Sequence, residues 1–272
     1  MTIVIITAVF AFVLALVLGT ALGFFKEFFA VPHDPMVDRI REALPGANCG
    51  ACGYPGCDNY AAAIAAGHAG PSACSVGGPS VAEKIVALTG IAGGSLLETV
   101  TVLSCQGSHI HAALKGTYIG VQSCRGAKLS VGGTKLCSWG CLGFGDCVKV
   151  CKFGALHMGD KGLPIVNYAK CTGCRLCINE CPQGLLKGIP KGQKGAITLC
   201  SNRNPVKKMV VRSCRIACIK CGLCAKNCPE GCISLDSNIP VVDLSKCTSC
   251  GTCAKKCPTK VFKIFERDIF LW

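Results

Sequence analysis

The segment 247–258 reads CTSCGTCAKKCP, and its cysteine spacing decides the fold of this 272-residue chain. The four cysteines are separated by two, two and three residues, and a proline follows the last one. The same spacing and the same Cys-Pro ending occur at 171–182 and at 218–229. Cysteines that follow one another so closely suit a shared metal centre better than disulfides between distant strands.

This spacing is that of bacterial ferredoxins with two 4Fe–4S clusters, in which the fourth cysteine of each motif binds the cluster of the other motif. The rule predicts three sets of four thiolate ligands. The sets are Cys218, Cys221, Cys224 and Cys257; Cys247, Cys250, Cys253 and Cys228; and Cys171, Cys174, Cys177 and Cys151.

A fourth motif, at 141–152, is irregular. Phe144 occupies the position of its second cysteine, and Lys152 replaces the usual proline. Only three thiolates then remain for its cluster, and we expect a cysteine outside the loop to supply the fourth. The predicted ligands are Cys141, Cys147 and Cys181, with Cys137 as the fourth.

A separate loop, NCGACGYPGC, spans 48–57, and another cysteine follows at 74. Its glycines allow the backbone to wrap closely around a metal centre. We expect a further 4Fe–4S cluster here, with zinc as the alternative, because short four-cysteine loops also bind zinc. The ligands would be Cys49, Cys52, Cys57 and Cys74.

Five of the 25 cysteines remain. Four of these five could bind a sixth cluster, since they can meet if the two halves of the chain pack together. The alternative is that they are buried structural thiols. The four are Cys105, Cys124, Cys200 and Cys214. The fifth, Cys232, is predicted to be a buried thiol. With or without the sixth cluster, the chain should hold five to six 4Fe–4S clusters.

The composition excludes several classes of protein. Disulfide scaffolds are usually short secreted chains, and this chain of 272 residues is too long for that class. The formal net charge of +14 resembles that of a nucleic-acid-binding protein. However, the basic residues are scattered, and each cluster with its thiolates would carry about −2, so we predict no nucleic-acid partner.

We find neither a G-x-G-x-x-G motif after a strand nor a P-loop, so we expect no flavin or NAD on this chain.

Residues 2–25 contain no charged side chain and are long enough to cross a bilayer as one helix. A cleaved signal peptide, the alternative, has a charged start and a shorter apolar run. Lys26, Arg39 and Arg41 follow the segment, so the positive-inside rule predicts a single-pass anchor with the soluble part in the cytoplasm. Because the segment has no ionisable residue, it offers no path for ions.

The predicted fold class is α+β, with an N-terminal transmembrane helix, a small helical 4Fe–4S domain and two ferredoxin-like modules with two clusters each. The proposed domains are 1–26, 27–90, 91–190 and 191–272. Outside the motifs, capping residues and hydrophobic patterns predict helices at 35–44, 58–67 and 81–88 and strands at 96–103 and 117–122.

The anchor, the loop 48–57, the segment 137–147 and the repeated ferredoxin motifs together resemble the B subunits of the Rnf family, the ion-translocating ferredoxin:NAD oxidoreductases. The resemblance covers essentially the whole chain. It implies a place in the bacterial inner (cytoplasmic) membrane. The implied partners are soluble ferredoxin, integral membrane subunits and subunits that carry flavin and NAD. The chain would relay electrons within a redox-driven ion translocase, with no substrate chemistry and no catalytic residue of its own.

Two other functions stay open from the sequence. One is a membrane-tethered ferredoxin adaptor that feeds a reductase or a redox sensor without ion pumping. The other is a zinc-binding scaffold, against which the Cys-Pro motifs argue. Whether the chain is a relay subunit or an adaptor, the predicted docking face for ferredoxin is the lysine-rich stretch 187–208.

Overall fold

The computed structural model describes residues 2–29, 34–94, 98–236, 238–266 and 269–270. This part of the chain has the mixed α+β fold predicted from the sequence. Its helices are α1 (Thr2–Phe28), α2 (Pro35–Ala43), α3 (Cys57–Ala65), α4 (Gly78–Thr89), α5 (Cys124–Val131), α6 (Asp146–Lys149), α7 (Leu176–Glu180), α8 (Lys207–Ser213), α9 (Leu223–Lys226) and α10 (Thr252–Lys256). Its strands are β1 (Thr99–Leu103), β2 (Leu156–Met158), β3 (Pro164–Val166), β4 (Leu186–Pro190), β5 (Gly195–Thr198), β6 (Ile233–Asp236), β7 (Ile239–Val242), β8 (Phe262–Glu266) and β9 (Ile269–Phe270).

Helix α1 has the length and composition of a membrane span. The candidate span within it, Ile5–Phe28, contains 24 residues, and none of its described side chains is buried by the rest of the described chain. At 1.5 Å per residue this part is about 36 Å long, enough to cross the hydrocarbon layer.

Helices α2, α3 and α4 form a small domain around the first cysteine loop. Asp34 caps α2, because its carboxylate accepts a hydrogen bond from the Met36 N–H at 2.8 Å. Helix α3 starts at Cys57, one residue before the predicted start at 58, and Gly56 stands at its cap. Asp58 instead pairs with Arg41 of α2 at 2.5 Å.

Tyr60 is the central side chain of this small domain and is only 1% exposed. It packs among buried residues of α2, α3 and α4, including Ile40, Ile64 and Ile85. Its hydroxyl donates a hydrogen bond to the Gly70 carbonyl at 2.7 Å and accepts one from the Ala73 N–H at 3.0 Å. These two bonds hold the segment that leads to Cys74 against the helices.

The remaining strands repeat one arrangement. In each copy a short antiparallel hairpin, β2–β3 or β6–β7, lies between the two cysteine motifs. A strand before each copy pairs with the strand that ends it, β1 with β4 and β5 with β8. The copies also share a core, because Phe265 of β8 packs with Val100, Val102 and Ile189 of the first copy.

The strand predicted at 117–122 is wrong. This segment is a loop whose Ile119 and Val121 side chains are 94% and 72% exposed, so they have no sheet to pack against. Ser123 ends the loop and starts α5, because its hydroxyl accepts a hydrogen bond from the Gly126 N–H at 2.9 Å. Of the strand predicted at 96–103, β1 covers Thr99–Leu103, and residues 95–97 lie outside the described residues.

We predict that Tyr60→Phe lowers the free energy of unfolding by about 1–3 kcal/mol, because it removes both hydrogen bonds of a buried side chain, the one to the Gly70 carbonyl and the one from the Ala73 N–H. Thermal unfolding of the loaded full-length protein measures this effect. Tyr118→Phe is the matched control, since the Tyr118 hydroxyl lies at the surface near Ser130. Equal stability of the two variants would contradict the role assigned to Tyr60.

Candidate metal centres

Each regular ferredoxin motif turns at a residue with a left-handed backbone and then starts a helix of four or five residues. The turning residues are Arg175, Gly222 and Gly251, with φ of 64°, 75° and 74°. Glycine adopts this conformation without steric cost. The turn puts the third cysteine of each motif on the following helix with its side chain buried, namely Cys177, Cys224 and Cys253.

The irregular motif makes the same turn without its second cysteine. Gly145 (φ 74°) precedes α6, and Cys147 lies in that helix. Phe144 stands where the regular motifs have a cysteine, and its ring lies against Tyr118 with centroids 5.7 Å apart. The irregular motif therefore keeps the ferredoxin backbone but needs a thiol from elsewhere in the chain.

The thiols of the three regular sets are close enough to influence one another's pKa. Burial, followed by the thiols of Cys247, Cys250 and Cys228, raises the pKa of Cys253 to about 11. Burial, followed by Cys174, Cys171 and Cys151, raises the pKa of Cys177. Burial, followed by Cys200, Cys224 and Cys257, raises the pKa of Cys218 to about 11. In each set the cysteine contributed by the other motif is among these neighbours.

We name these groups by their thiols. The first regular site is Cys151, Cys171, Cys174 and Cys177; the second regular site is Cys218, Cys221, Cys224 and Cys257; the outer site is Cys228, Cys247, Cys250 and Cys253. The N-terminal site is Cys49, Cys52, Cys57 and Cys74, which line one recess. In that recess the Asn48 side chain accepts a hydrogen bond from the Cys57 N–H at 2.7 Å and so fixes the loop on α3.

The irregular site recruits Cys124, the first residue of α5. Its thiols, which line one recess, are Cys124, Cys141, Cys147 and Cys181. Burial, followed by the thiols of Cys124 and Cys181, raises the pKa of Cys147 to about 12. The buried carboxylate of Asp146 accepts hydrogen bonds from the N–H groups of Cys124 and Arg125 at 2.7 and 3.2 Å. It thereby fixes the start of α5 beside the motif.

A sixth group, the bridging site, lies between the two copies of the repeat. Its thiols, which line one recess, are Cys105, Cys137, Cys200 and Cys214. Burial, followed by the thiols of Cys105, Cys200 and Cys214, raises the pKa of Cys137 to about 11. This grouping differs from the predicted one, which placed Cys137 in the irregular site and Cys124 in the sixth group.

The exchange has a physical reason. Cys137 is close to Cys141 in the chain, but a turn at Gly140, whose N–H bonds to the Cys137 carbonyl at 3.1 Å, separates the two thiols into different recesses. The repeat itself held the signal that sequence reasoning missed. Cys137 stands four residues before Cys141, as Cys214 stands before Cys218, and Cys105 follows β1 as Cys200 follows β5. Each copy therefore contributes two equivalent thiols to the bridging site.

The donor set fits 4Fe–4S clusters better than zinc. In zinc sites all four ligands bind one ion, with sulfur at about 2.3 Å. Among the described residues, however, no three His, Cys, Asp or Glu side chains converge on a single ion position. Thiolates of a 4Fe–4S cluster bind different irons and stand further apart. At the bridging site the Gly107 backbone lies next to two of the thiols, because a Cβ there would be 3.4 Å from the Cys214 sulfur and 3.6 Å from the Cys105 sulfur.

Contacts connect neighbouring sites. The N–H of Cys141, in the irregular site, points at the Cys105 sulfur of the bridging site at 3.5 Å. The N–H of Cys218, in the second regular site, points at the Cys200 sulfur at 3.3 Å. The N-terminal domain meets the first copy where the Lys152 ammonium donates to the Asn48 carbonyl at 3.1 Å. The thiol of Cys49 is also among the groups that raise the pKa of Cys174, after burial.

Cys232 belongs to none of the six groups. Its side chain is buried, and its sulfur lies 3.4 Å from that of Cys228. Burial, followed by the neighbouring sulfurs of Cys228 and Cys247, raises the pKa of Cys232 to about 12. The prediction that Cys232 is a buried thiol agrees with this position.

Three segments of the chain match family profiles. Residues 44–76 match the profile described as "Putative Fe-S cluster". Residues 164–187 match the "4Fe-4S binding domain", and residues 217–261 match the "4Fe-4S dicluster domain". These segments contain the N-terminal loop, the second motif of the first copy and both motifs of the second copy.

The chain is also similar to curated proteins over most of its length. It is 42% identical over 234 residues to the B subunit of the Na(+)-translocating ferredoxin:NAD(+) oxidoreductase complex of Acetobacterium woodii, a match that covers 86% of this chain and 70% of the relative. It is 40% identical to the B subunit of the proton-translocating ferredoxin:NAD(+) oxidoreductase complex of Clostridium ljungdahlii, over 90% of this chain and 86% of the relative. It is 37% identical to the B subunit of the ion-translocating oxidoreductase complex of Methanosarcina acetivorans, over 86% and 88%.

We predict that Cys137→Ala and Cys200→Ala alter the same electron paramagnetic resonance (EPR) signal of the reduced protein, whereas Cys124→Ala alters a different one. The reason is that Cys137 and Cys200 lie in one recess and Cys124 lies in another. Each variant should lose up to about four irons per chain. Cys232→Ala is the control and should keep the wild-type iron content. If Cys137→Ala instead matched Cys141→Ala, the grouping would be wrong.

Proposed function

The chain belongs to the family of B subunits of the ion-translocating ferredoxin:NAD(+) oxidoreductase complexes, and from this premise we propose how it relays electrons. Electrons pass one at a time between a soluble ferredoxin and the membrane subunits of such a complex. Clusters of the 4Fe–4S type, when bound, supply one-electron carriers in series. The chain itself holds them at set spacings and shields them from water.

The observation that carries this proposal is the bridging site. Two of its thiols come from the first copy and two from the second, so it closes the gap between the copies. Backbone N–H groups of Cys141 and Cys218 point at its sulfurs from the sites on either side. Six sites in the order N-terminal, first regular, irregular, bridging, second regular and outer then form one continuous path.

The division of labour within the complex follows from what this chain carries. We propose that NAD reduction and ion translocation occur on other subunits, since α1 has no ionisable residue before Lys26. The same helix serves as a single-pass anchor in the inner (cytoplasmic) membrane. Lys26, Arg39 and Arg41 on its C-terminal side support a cytoplasmic location for the cysteine sites.

The outer and second regular sites are the proposed contact for soluble ferredoxin. Of the 25 cysteines only Cys221 and Cys250 are exposed, and they belong to these two sites. Electron transfer between proteins needs a close approach, so exposed sites are the ones that a soluble partner can reach. Two exposed lysines of the motif that contains Cys250, Lys255 and Lys256, and Lys246 just before it supply the positive charge that attracts an acidic partner.

The proposed path predicts which sites are reduced slowly when the bridging site is removed. In the double variant Cys200→Ala/Cys214→Ala, rapid mixing with reduced ferredoxin should reduce the second regular and outer sites at the wild-type rate and the remaining sites in a slow second phase. Rapid-freeze EPR follows both phases. Cys232→Ala should behave as the wild type does. Reduction of all centres at the wild-type rate in the double variant would exclude the bridging site from the path.

The docking face makes a second prediction. Lys255→Glu/Lys256→Glu should slow reduction by ferredoxin several-fold at low ionic strength, and the difference should shrink as salt screens the charges. The matched control, Lys207→Glu/Lys208→Glu, changes an exposed lysine pair on α8 within the stretch 187–208 predicted from the sequence. If only the control pair slowed the reaction, ferredoxin would dock at the sequence-predicted face instead.

A further inference from the structure

Two charged side chains are buried among the described residues, Lys135 and Asp146. The carboxylate of Asp146 has partners, because it accepts from the N–H groups of Cys124 and Arg125 and pairs with Lys149 at 3.7 Å. Lys135 is 4% exposed, and within the described residues no ion pair joins it to a carboxylate. Burying a cation without an opposite charge is costly.

The backbone fixes Lys135 at this buried position. Lys135 pairs in an isolated antiparallel bridge with Leu114, and the flanking N–H groups of Lys115 and Leu136 bond across it at 2.9 and 2.8 Å. The same segment continues to Ala112, which bridges to Cys214. The strand-like segment 112–115 therefore links Lys135 to a thiol of the bridging site.

The ammonium of Lys135 lies beside the bridging site. It donates a hydrogen bond to the Gly107 carbonyl at 2.7 Å. Gly107 lies against the bridging site, since a Cβ there would meet the Cys214 sulfur at 3.4 Å and the Cys105 sulfur at 3.6 Å. The bond thus holds this close-fitting peptide in place and puts a fixed positive charge beside the thiols.

The same charge acts on thiols of both sites. Burial raises the pKa of Cys141, in the irregular site, to about 12, and Lys135 opposes this rise. Burial also raises the pKa of Cys214, in the bridging site, and Lys135 again acts in the opposite direction. On the other side of the bridging site Lys220 is only half-buried, so solvent screens its charge more strongly.

We propose that Lys135 is the buried counter-charge of the bridging and irregular sites and that it raises the reduction potential of the centres held there. The inference rests on the proposed function, because thiolate-ligated clusters would supply the opposite charge that Lys135 lacks among the described residues. Reduction adds a negative charge to a centre, and a nearby fixed cation stabilises the reduced form. Lys135 is thus a positioning and tuning residue and not a ligand.

The test is an EPR-monitored redox titration of the full-length chain, purified without oxygen, as wild type, Lys135→Met and Lys135→Arg. Methionine has a similar length without the charge, and arginine keeps the charge. In Lys135→Met we expect the equilibrium constant for reduction of one or two centres to fall at least about tenfold, which is about 59 mV for a one-electron couple. The potentials of the other centres should stay unchanged. Lys115→Met is the matched control, because Lys115 also donates to a carbonyl, that of Val131 at 3.0 Å, but is exposed.

Each outcome supports or overturns the proposal. If Lys135→Met keeps its iron and all its potentials equal those of the wild type, the proposal is overturned. If Lys135→Met loses iron while Lys135→Arg keeps it, the positive charge is required and the proposal stands. If both variants lose iron, the side chain acts by packing and the proposal fails. An iron-free wild-type chain would instead sink the proposed function itself, so the two failures are distinguishable.

Discussion

The constraint on which the rest of the structure depends is the close packing of thiols in small recesses. Burial raises the pKa of Cys137, Cys141 and Cys147 to about 11 or 12, so the charged thiolates are unfavourable there without a cation. Iron supplies that cation, and cluster binding is then coupled to folding. Short helices and strands suffice around the sites, because ligation does much of the work that a large apolar core does in other domains.

The internal repeat explains how a further thiol site forms between the two ferredoxin-like units and links them in the proposed electron path. Each copy has a strand before its first motif, and each of those strands leads to a cysteine that no ferredoxin motif needs, Cys105 or Cys200. Each copy also has a cysteine four residues before its first motif, Cys137 or Cys214. The two copies pack against each other, for example at Phe265, and these four thiols line one recess. The added site at the junction thus uses two equivalent thiols from each copy.

Much of this organisation could be predicted from the sequence, and the failures have identifiable causes. The C-x2-C-x2-C-x3-C-P spacing is a local property of the chain, so the regular motifs, the α+β class and the helices α2 and α4 followed from it and from local capping. The pairing of Cys124 with the irregular site depends on Asp146 and on the turn at Gly140, which are tertiary features. The segment 117–122 was predicted to be a strand, but a strand needs a partner edge, and none of the described strands lies beside it.

Iron and acid-labile sulfide per chain, measured on full-length protein purified without oxygen, test the central claim most directly, that six thiol sites hold 4Fe–4S clusters in one continuous path. We predict about 24 of each per chain, four for every site. About 20 of each would leave one of the six thiol groups without a cluster and so break the proposed path. Zinc in place of iron would contradict the electron-relay function as a whole.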